Sequence, residues 1–507
     1  MAITLQAVDP RTGERGSSYE AVGVEAVGPA AEAAARAAVD PALADDARRV
    51  AGLRGVADAL EARGDEIVSV CGAETGLPDG RLRTELERTA VQLRAFAAFV
   101  EAGEHLGAIV DLPDPDARPA PRPDLRRMLV PVGPVAVFGA SNFPLAFSTM
   151  GGDTASALAA GCPVVVKGHP SHPGTGSLVA EIALEALAGA GLPDGTFAHL
   201  LSGDNAVGEA LVDHPAIAAV GFTGSFRGGS ALFARAARRP NPIPVYAEMG
   251  SLNPFVVTEG ALRERAAEIV SALAGSIATF AGQMCTKPGL VLVPSGEAGE
   301  AFAHALGEDL AAREPEAMLS ESIQAGFAAG IAELEKVERL TPDSPPYESG
   351  FRHAPVAFRV SARDLTASPG LAEEHFGPAA VVAVYGDLSE VPPLLESLGG
   401  QLTVTIHAAE GEAATLEPLV TTATRTAGRV LFGGVPTGVA VAWAMTHGGP
   451  WPATSAAGTT SVGLTAIERF QRPVTYQSAP QSLLPPALRD GNPLGIPRRV
   501  NGIITTA

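Results

Sequence analysis

From Val132 onward the chain alternates short β-branched runs with segments of helical periodicity, and this alternation limits its fold more than any other feature. Residues 135–138, 164–166, 198–201 and 217–222 read as strands, and 154–160, 176–190 and 206–212 read as the helices between them. Strand, helix and strand in succession build a parallel sheet through right-handed crossovers. After Pro244 a second series begins, with strands at 253–257, 290–293, 356–360, 380–385, 402–406 and 430–432 and helices at 261–281, 298–312 and 411–423. The expected fold class is α/β, with two Rossmann-like halves, parallel sheets and no internal repeat. Ligands of such sheets gather beyond the strand C-termini, where helix N-termini point.

The flanking segments are different in kind. Apolar residues recur at helical spacing over 31–39, 45–63 and 81–101, which reads as a layer of surface helices. Residues 111–123 are too rich in proline for a helix or a central strand, and form an extended connector. The tail from 479 to 507, with five prolines, reads as an extended arm that docks elsewhere. Lys plus Arg number 36 against 56 Asp plus Glu, a net charge of −20 that disfavours nucleic acid and anionic membranes as partners. Three cysteines, Cys71, Cys162 and Cys285, are too few for a disulfide framework and match no zinc spacing. A cytoplasmic protein without a metal is therefore expected. No signal peptide or membrane span is legible.

Neither a Walker loop nor a Gly-x-Gly-x-x-Gly fingerprint follows a strand. Several residues at element boundaries nevertheless have the right chemistry for a site. Gly221-Phe-Thr-Gly-Ser225 ends a strand and opens a helix, so it is either a cradle for a pyrophosphate or an ordinary turn. Lys167 ends the Val164-Val-Val strand, where it meets a ribose or phosphate, or solvent. Cys285 sits on a Gly282-Gln-Met-Cys loop as an activated thiol or a core residue, whereas Cys71 and Cys162 have apolar neighbours. Glu248, where the two halves meet, is a general base or a linker acid. Asn142, just after the first strand, offers an amide to an oxyanion or caps a turn.

Taken in order, Asn142, Lys167, Gly221-Phe-Thr-Gly224, Glu248-Met-Gly250, Gly282-Gln-Met-Cys285 and Glu374-His-Phe-Gly-Pro378 resemble the aldehyde dehydrogenase superfamily over nearly the whole chain. The resemblance implies a nicotinamide-binding domain at 1–115 and 132–246 and a catalytic domain at 247–445. It also implies a small β oligomerisation element from a hairpin at 116–131 and the arm at 470–507, hence a homodimer or homotetramer. It makes Cys285 the nucleophile, Glu248 the base for thioester hydrolysis and Asn142 the oxyanion donor. Lys167 and Glu374 resemble the pair that holds the two riboses. Phe376 would pack near the nicotinamide ribose, and Gly224 and Ser225 would approach the cofactor. The 37-residue separation of Glu248 and Cys285 is slightly longer than usual, which implies an insertion between them.

Members that prefer NAD carry a glutamate three residues after the lysine, and here that position is Pro170. Without that carboxylate, Lys167, His169, Ser171 or His172 can bond a 2′-phosphate, so NADP is expected, with NAD tolerated. Lys167-Gly-His-Pro-Ser-His-Pro173, Glu248-Met-Gly-Ser-Leu-Asn-Pro254, His447-Gly-Gly-Pro450 and Asn492-Pro-Leu-Gly495 resemble the NADP-linked ketoglutaric semialdehyde (2,5-dioxopentanoate) dehydrogenases. An anionic aldehyde needs a local positive charge, for which His447 and Arg472 are the candidates. The competing expectations are a fatty or other semialdehyde dehydrogenase, a CoA-acylating relative and a catalytically silent protein of the same fold. Retention of Glu248 disfavours the acylating relative, and retention of Cys285, Glu248 and Asn142 together disfavours the silent one.

Overall fold

The computed structural model describes residues 3–344 and 347–506. Five strands form a wholly parallel sheet in the order Phe197–Leu201, Val164–Gly168, Val135–Phe138, Ala219–Thr223, Val245–Glu248. Val135, Ala136, Val164, Val165 and Val166 are completely buried, as strands covered by helices on both faces must be. Chain order reverses beside Val135–Phe138, whose neighbours are the second and fourth strands of the series. That reversal opens a crevice at the strand C-termini.

The second sheet has seven strands in the order Glu338–Arg339, Val356–Ser361, Ala379–Tyr385, Leu290–Pro294, Phe255–Val257, Gln401–His407, Ala427–Phe432, parallel except for the first pair. Two apolar cores flank it, one centred on Phe358 and Val404 and the other on Phe255 and Phe302. The third sheet is mostly antiparallel, in the order Gln471–Gln477, Leu125–Pro131, Ile109–Asp111, Arg498–Val500, Ile503–Thr505. Its outer strand leaves Ile503 and Ile504 exposed. Among the described residues no helix is long and apolar enough to cross a membrane.

Three features depart from the sequence reading. Ile3–Val8 and Arg15–Ala21 pair as an antiparallel hairpin ahead of the helical layer. Its residues are mostly exposed, so they carry little of the pattern that marks a buried strand. Ile109–Asp111 belongs to the third sheet although it lies inside the segment assigned to the cofactor domain; three residues are too few to show a period. The helix Glu321–Leu334 fills a stretch for which no element was expected, burying Phe327, Ile331 and Leu334 at helical spacing.

The helix Asp79–Glu101 anchors the loop that follows the strand Val135–Phe138 of the first sheet. The buried Glu85 carboxylate accepts from the backbone N–H groups of Leu145 (2.8 Å) and Ala146 (3.0 Å). Arg81 Nη2 donates to the Asn142 carbonyl at 2.6 Å. Removing Glu85 strands both N–H groups in a site closed to water. Glu85→Ala is expected to destabilise the protein by about 2–5 kcal/mol, read as a lowered urea midpoint; an unchanged midpoint would show that these bonds do not hold the loop.

Candidate active site

A cavity of about 1300 Å³ opens at the crevice of the first sheet and is lined by Asn142, Lys167, His169, Ser171, Gly224, Ser225, Glu248, Cys285, Glu374 and Phe376. Residues from six chain segments therefore meet there because each follows a strand C-terminus or faces one. Ser225 caps the helix Phe226–Ala237, its hydroxyl accepting from the Gly228 N–H at 3.2 Å, so the helix N-terminus faces the cavity. Gly250 allows Glu374 to approach the backbone: a Cβ there would lie 2.1 Å from Glu374 Oε2.

Burial dominates the electrostatics at the cofactor end. It pushes the Lys167 ammonium down to about 8, opposed by the charge of Asp204. His172 and His199 are pushed to about 4, and His169 well below its usual value, also by burial. The His169 and His172 rings stack at 5.3 Å, and His172 Nε2 lies 3.2 Å from the Ala140 carbonyl. These rings are neutral at pH 7, so Lys167 carries the charge of the loop. Glu374 has a cationic neighbour that the sequence did not reveal, the buried Lys287, whose Nζ donates to the carbonyls of His375 (3.1 Å) and Ala379 (2.8 Å). Burial raises the Glu374 pKa and lowers that of Lys287.

The loop bearing Cys285 is held under strain. Phe280, Ala281 and Gly282 are all left-handed, with φ of 54°, 52° and 66°, and each non-glycine residue there costs about 1–2 kcal/mol. A Cβ on Gly282 would lie 2.2 Å from the Gly377 carbonyl oxygen. Several contacts fix this turn. The Ala281 N–H donates to Glu316 Oε2 at 3.0 Å, the Leu319 N–H donates to Gln283 Oε1 at 3.0 Å, and the Arg81 guanidinium lies 4.0 Å from the centre of the Phe280 ring. Asn142 Nδ2 donates to the Gln283 carbonyl at 2.8 Å, leaving its second N–H for another acceptor.

Asn253 joins this loop to the second sheet. It is fully buried, and its Nδ2 donates to the carbonyls of Cys285 (2.8 Å) and Lys287 (3.0 Å). Its Oδ1 accepts from the hydroxyls of Ser251 and Thr403, both at 3.0 Å. Its φ of 50° suits asparagine better than most residues. Asn253 stands inside the Glu248-Met-Gly-Ser-Leu-Asn motif, yet nothing local in that motif reveals partners more than 30 residues away.

Three ionisable side chains converge at the bottom of the cavity. Cys285 Sγ lies 3.4 Å from His447 Nε2, and the same nitrogen lies 2.9 Å from Glu248 Oε1. Ser461 donates its hydroxyl to Glu248 Oε2. Glu248 Oε1 makes no aligned hydrogen bond, so its contact with His447 is one of charge. Burial opposes a charged imidazole, but Glu248 and Cys285 outweigh it and raise the His447 pKa to about 10. Burial likewise pushes Glu248 upward, but His447, Ser461 and Arg469 hold its carboxyl below the usual range. Phe147 packs edge-on against the His447 ring at 6.2 Å.

The sequence reading gave His447 to the substrate; the structure places it between the thiol and the carboxylate. Arg472 is exposed on the strand Gln471–Gln477, opposite Val130 in the third sheet, and does not line the cavity. The arginines whose charges bear on Cys285 are Arg88 and Arg429, which are not among the cavity-lining residues but stand behind them. Arg88 Nη1 donates to the Val439 carbonyl, while its Nε and Nη2 have no hydrogen-bond partner. They went unseen because neither lies near a motif.

The sequence profile of the aldehyde dehydrogenase family matches residues 2–415. The chain belongs to the aldehyde dehydrogenase family. It is 45% identical over 507 residues to alpha-ketoglutaric semialdehyde dehydrogenase 2 of Azospirillum brasilense, covering 99% of this chain and 96% of that one. It is also 45% identical over 453 residues to the alpha-ketoglutaric semialdehyde dehydrogenase of Acinetobacter baylyi, covering 89% and 86%. A crystal structure of gamma-glutamyl-gamma-aminobutyraldehyde dehydrogenase from Burkholderia cenocepacia superposes with a TM-score of 0.80 at 23% identity, covering 93% of this chain and 92% of that one. This aldehyde dehydrogenase thus has the fold of its family.

Replacing Asn253 removes five side-chain hydrogen bonds, two of them to the Cys285 loop, and places alanine at a left-handed φ. Asn253→Ala is expected to lose about 2–4 kcal/mol of stability and to lower kcat more than it changes KM for the cofactor. Urea unfolding and steady-state kinetics check this; a variant with wild-type kcat would show that the loop is positioned by other contacts.

Proposed function

We propose that this enzyme oxidises 2,5-dioxopentanoate to 2-oxoglutarate with NADP, using Cys285 as nucleophile and Glu248 with His447 as base. The observation that carries this reading is the contact of one imidazole nitrogen with both Cys285 Sγ and Glu248 Oε1. His447 accepts the thiol proton, and the Glu248 carboxylate stabilises the imidazolium that forms. The Cys285 thiolate attacks the aldehyde carbon, giving a thiohemiacetal whose oxyanion meets the spare Asn142 N–H and the Cys285 backbone N–H. NADP, when bound, supplies the acceptor for the aldehyde hydrogen and two electrons, which leaves a thioester on Cys285. Glu248 then takes a proton from water as its oxygen attacks the thioester, and the acid departs with Cys285 restored as thiolate.

The cofactor end suits a dinucleotide on its own geometry: a strand-end crevice, a helix N-terminus and a glycine that lets Glu374 approach the backbone. Lys167 and Glu374 would hold the riboses, His169 and Ser171 would lie beside the adenosine, Gly224 and Ser225 would face the pyrophosphate, and Phe376 would pack at the nicotinamide end. NADP is favoured because Pro170 stands where a carboxylate would repel the 2′-phosphate, and Lys167 supplies a charge. With its pKa lowered to about 8, Lys167 is charged below that pH and neutral above it. The ratio of kcat/KM for NADP to that for NAD is therefore expected to be highest at pH 7 and to fall by pH 9. A flat ratio, or a preference for NAD at pH 7, would overturn the role of Lys167.

The carboxylated substrate is supported by the names of the two relatives at 45% identity and by Arg88, whose unspent donors lie within electrostatic reach of Cys285. A charge-assisted bond from Arg88 to the distal carboxylate is worth about 1.5–3 kcal/mol. In a panel of 2,5-dioxopentanoate, succinic semialdehyde, pentanal and decanal, the wild type should favour the acids. Arg88→Met should lower the acid-to-neutral ratio of kcat/KM by about 10–100-fold. A wild type that prefers decanal would replace the substrate, and an unchanged ratio in the variant would remove Arg88 from its recognition.

A further inference from the structure

Cys285 Sγ, His447 Nε2 and a Glu248 carboxylate oxygen all lie within 4.8 Å of one another, in a site where Glu248 and His447 are buried and Cys285 is half-buried. Thiolate, imidazole and carboxylate are the three side-chain donors that Zn²⁺ takes, at about 2.3, 2.0 and 2.0–2.2 Å. A tetrahedral ion with those bond lengths separates its donors by about 3.3–3.6 Å. Two of the separations, 3.4 Å for Sγ–Nε2 and 2.9 Å for Nε2–Oε1, need only a few tenths of an ångström of adjustment, and the third, from Sγ to the Glu248 carboxylate, lies within 4.8 Å and is closed by rotation of the Cys285 or Glu248 side chain. We propose that Cys285, His447 and Glu248 form a binding site for Zn²⁺, and that the ion switches the enzyme off reversibly by occupying its thiol and carboxylate.

Three observations support this. Glu248 Oε1 makes no aligned hydrogen bond, so a lone pair is unspent beside the imidazole nitrogen. Two anionic donors neutralise a dication, which a buried ion requires. Cys285 and Glu248 line the open cavity, which gives an ion a route in and leaves a fourth position for water. The charges of Arg88 and Arg429 reach Cys285 and that of Arg469 reaches Glu248. They oppose any cation, which selects for one that bonds strongly to sulfur and against Mg²⁺ or Ca²⁺. The exchange balances without electron transfer. The ion displaces the single proton shared by Cys285 and His447 into solvent and forms bonds to S, N and O. No spacing motif announces the site, because its ligands are separated by 37 and 162 residues.

Inhibition as the consequence rests on Cys285 and Glu248 acting as proposed above; binding does not. The enzyme, treated with EDTA and desalted, is titrated with ZnCl₂ for activity and with CoCl₂ for absorbance. Zn²⁺ should inhibit at micromolar concentration, EDTA should restore activity, and millimolar MgCl₂ should have no effect. Co²⁺ should give a near-ultraviolet thiolate charge-transfer band that saturates at one ion per chain. Cys285→Ser should abolish the band. His447→Gln should weaken Co²⁺ binding by at least the roughly 100-fold that loss of a supporting group can cost, and Glu248→Gln should weaken it too. NADPH fluorescence on binding verifies that each variant is folded. A band that survives Cys285→Ser, or Co²⁺ affinity unchanged in both His447→Gln and Glu248→Gln, would overturn the site. A band with these dependences but no inhibition by Zn²⁺ would overturn the switch, and would point to a failure of the catalytic assignments rather than of the binding site.

Discussion

The buried contact of Glu248 with His447 is the interaction on which the geometry of this enzyme most depends. Glu248 is the last residue of the strand Val245–Glu248 in the cofactor sheet. His447 comes from a segment after the last strand of the second sheet, and Cys285 from the loop before the strand Leu290–Pro294. A carboxylate buried to this degree would be strongly disfavoured alone. It is tolerated because Ser461 and His447 supply a hydrogen bond and a charge. The same contact brings the end of the first sheet and the segment that follows the second sheet together beside Cys285.

Around that contact the chain uses strain and close approach to set positions. Left-handed Phe280 and Ala281 place Cys285 at the cavity, and Asn253 ties its carbonyl to the second sheet. Glu85 and Arg81 hold the loop of Asn142 from the helical layer, so a helix outside the first sheet positions one wall of the cavity. At the other end of the cavity the polar residues are mostly neutral. Burial holds His169, His172 and His199 uncharged and leaves Lys167 as the cation of its loop.

Much of the fold was legible because buried parallel strands leave an unmistakable run of β-branched residues. Val164-Val-Val166 is such a run, and its three valines are fully buried. The hairpin at Ile3–Val8 and the strand Ile109–Asp111 were not legible, being exposed or too short to show a period. The residues expected at the cofactor and at the thiol do line one cavity, because Asn142, Lys167, Gly224 and Glu248 stand at or after strand ends of the first sheet, Cys285 and Glu374 stand on loops that face them, and each carries a distinctive local motif. Arg472 was chosen for charge and chain position alone, and neither fixes a direction in space; it lies on the outer strand of another sheet. His447 was singled out as a positive charge for an anionic substrate, and the structure places it beside Cys285 and Glu248. Its segment lies beyond the residues that the family profile matches, so no pattern linked it to Glu248.

By itself the sequence determined the α/β class and the membership of the aldehyde dehydrogenase family, and it singled out Cys285, Glu248 and Asn142 as candidates, because these depend on periodicity and on short motifs. Only the tertiary structure decided which cation stands beside Glu374, which asparagine holds the Cys285 loop and which imidazole bridges thiol and acid. Those partners are separated by 87, 32 and more than 160 residues in the chain. The first two contacts arise from loops that lead into neighbouring strands of the second sheet and the third from the meeting of that half with the first sheet, and distance along the chain carries no information about them.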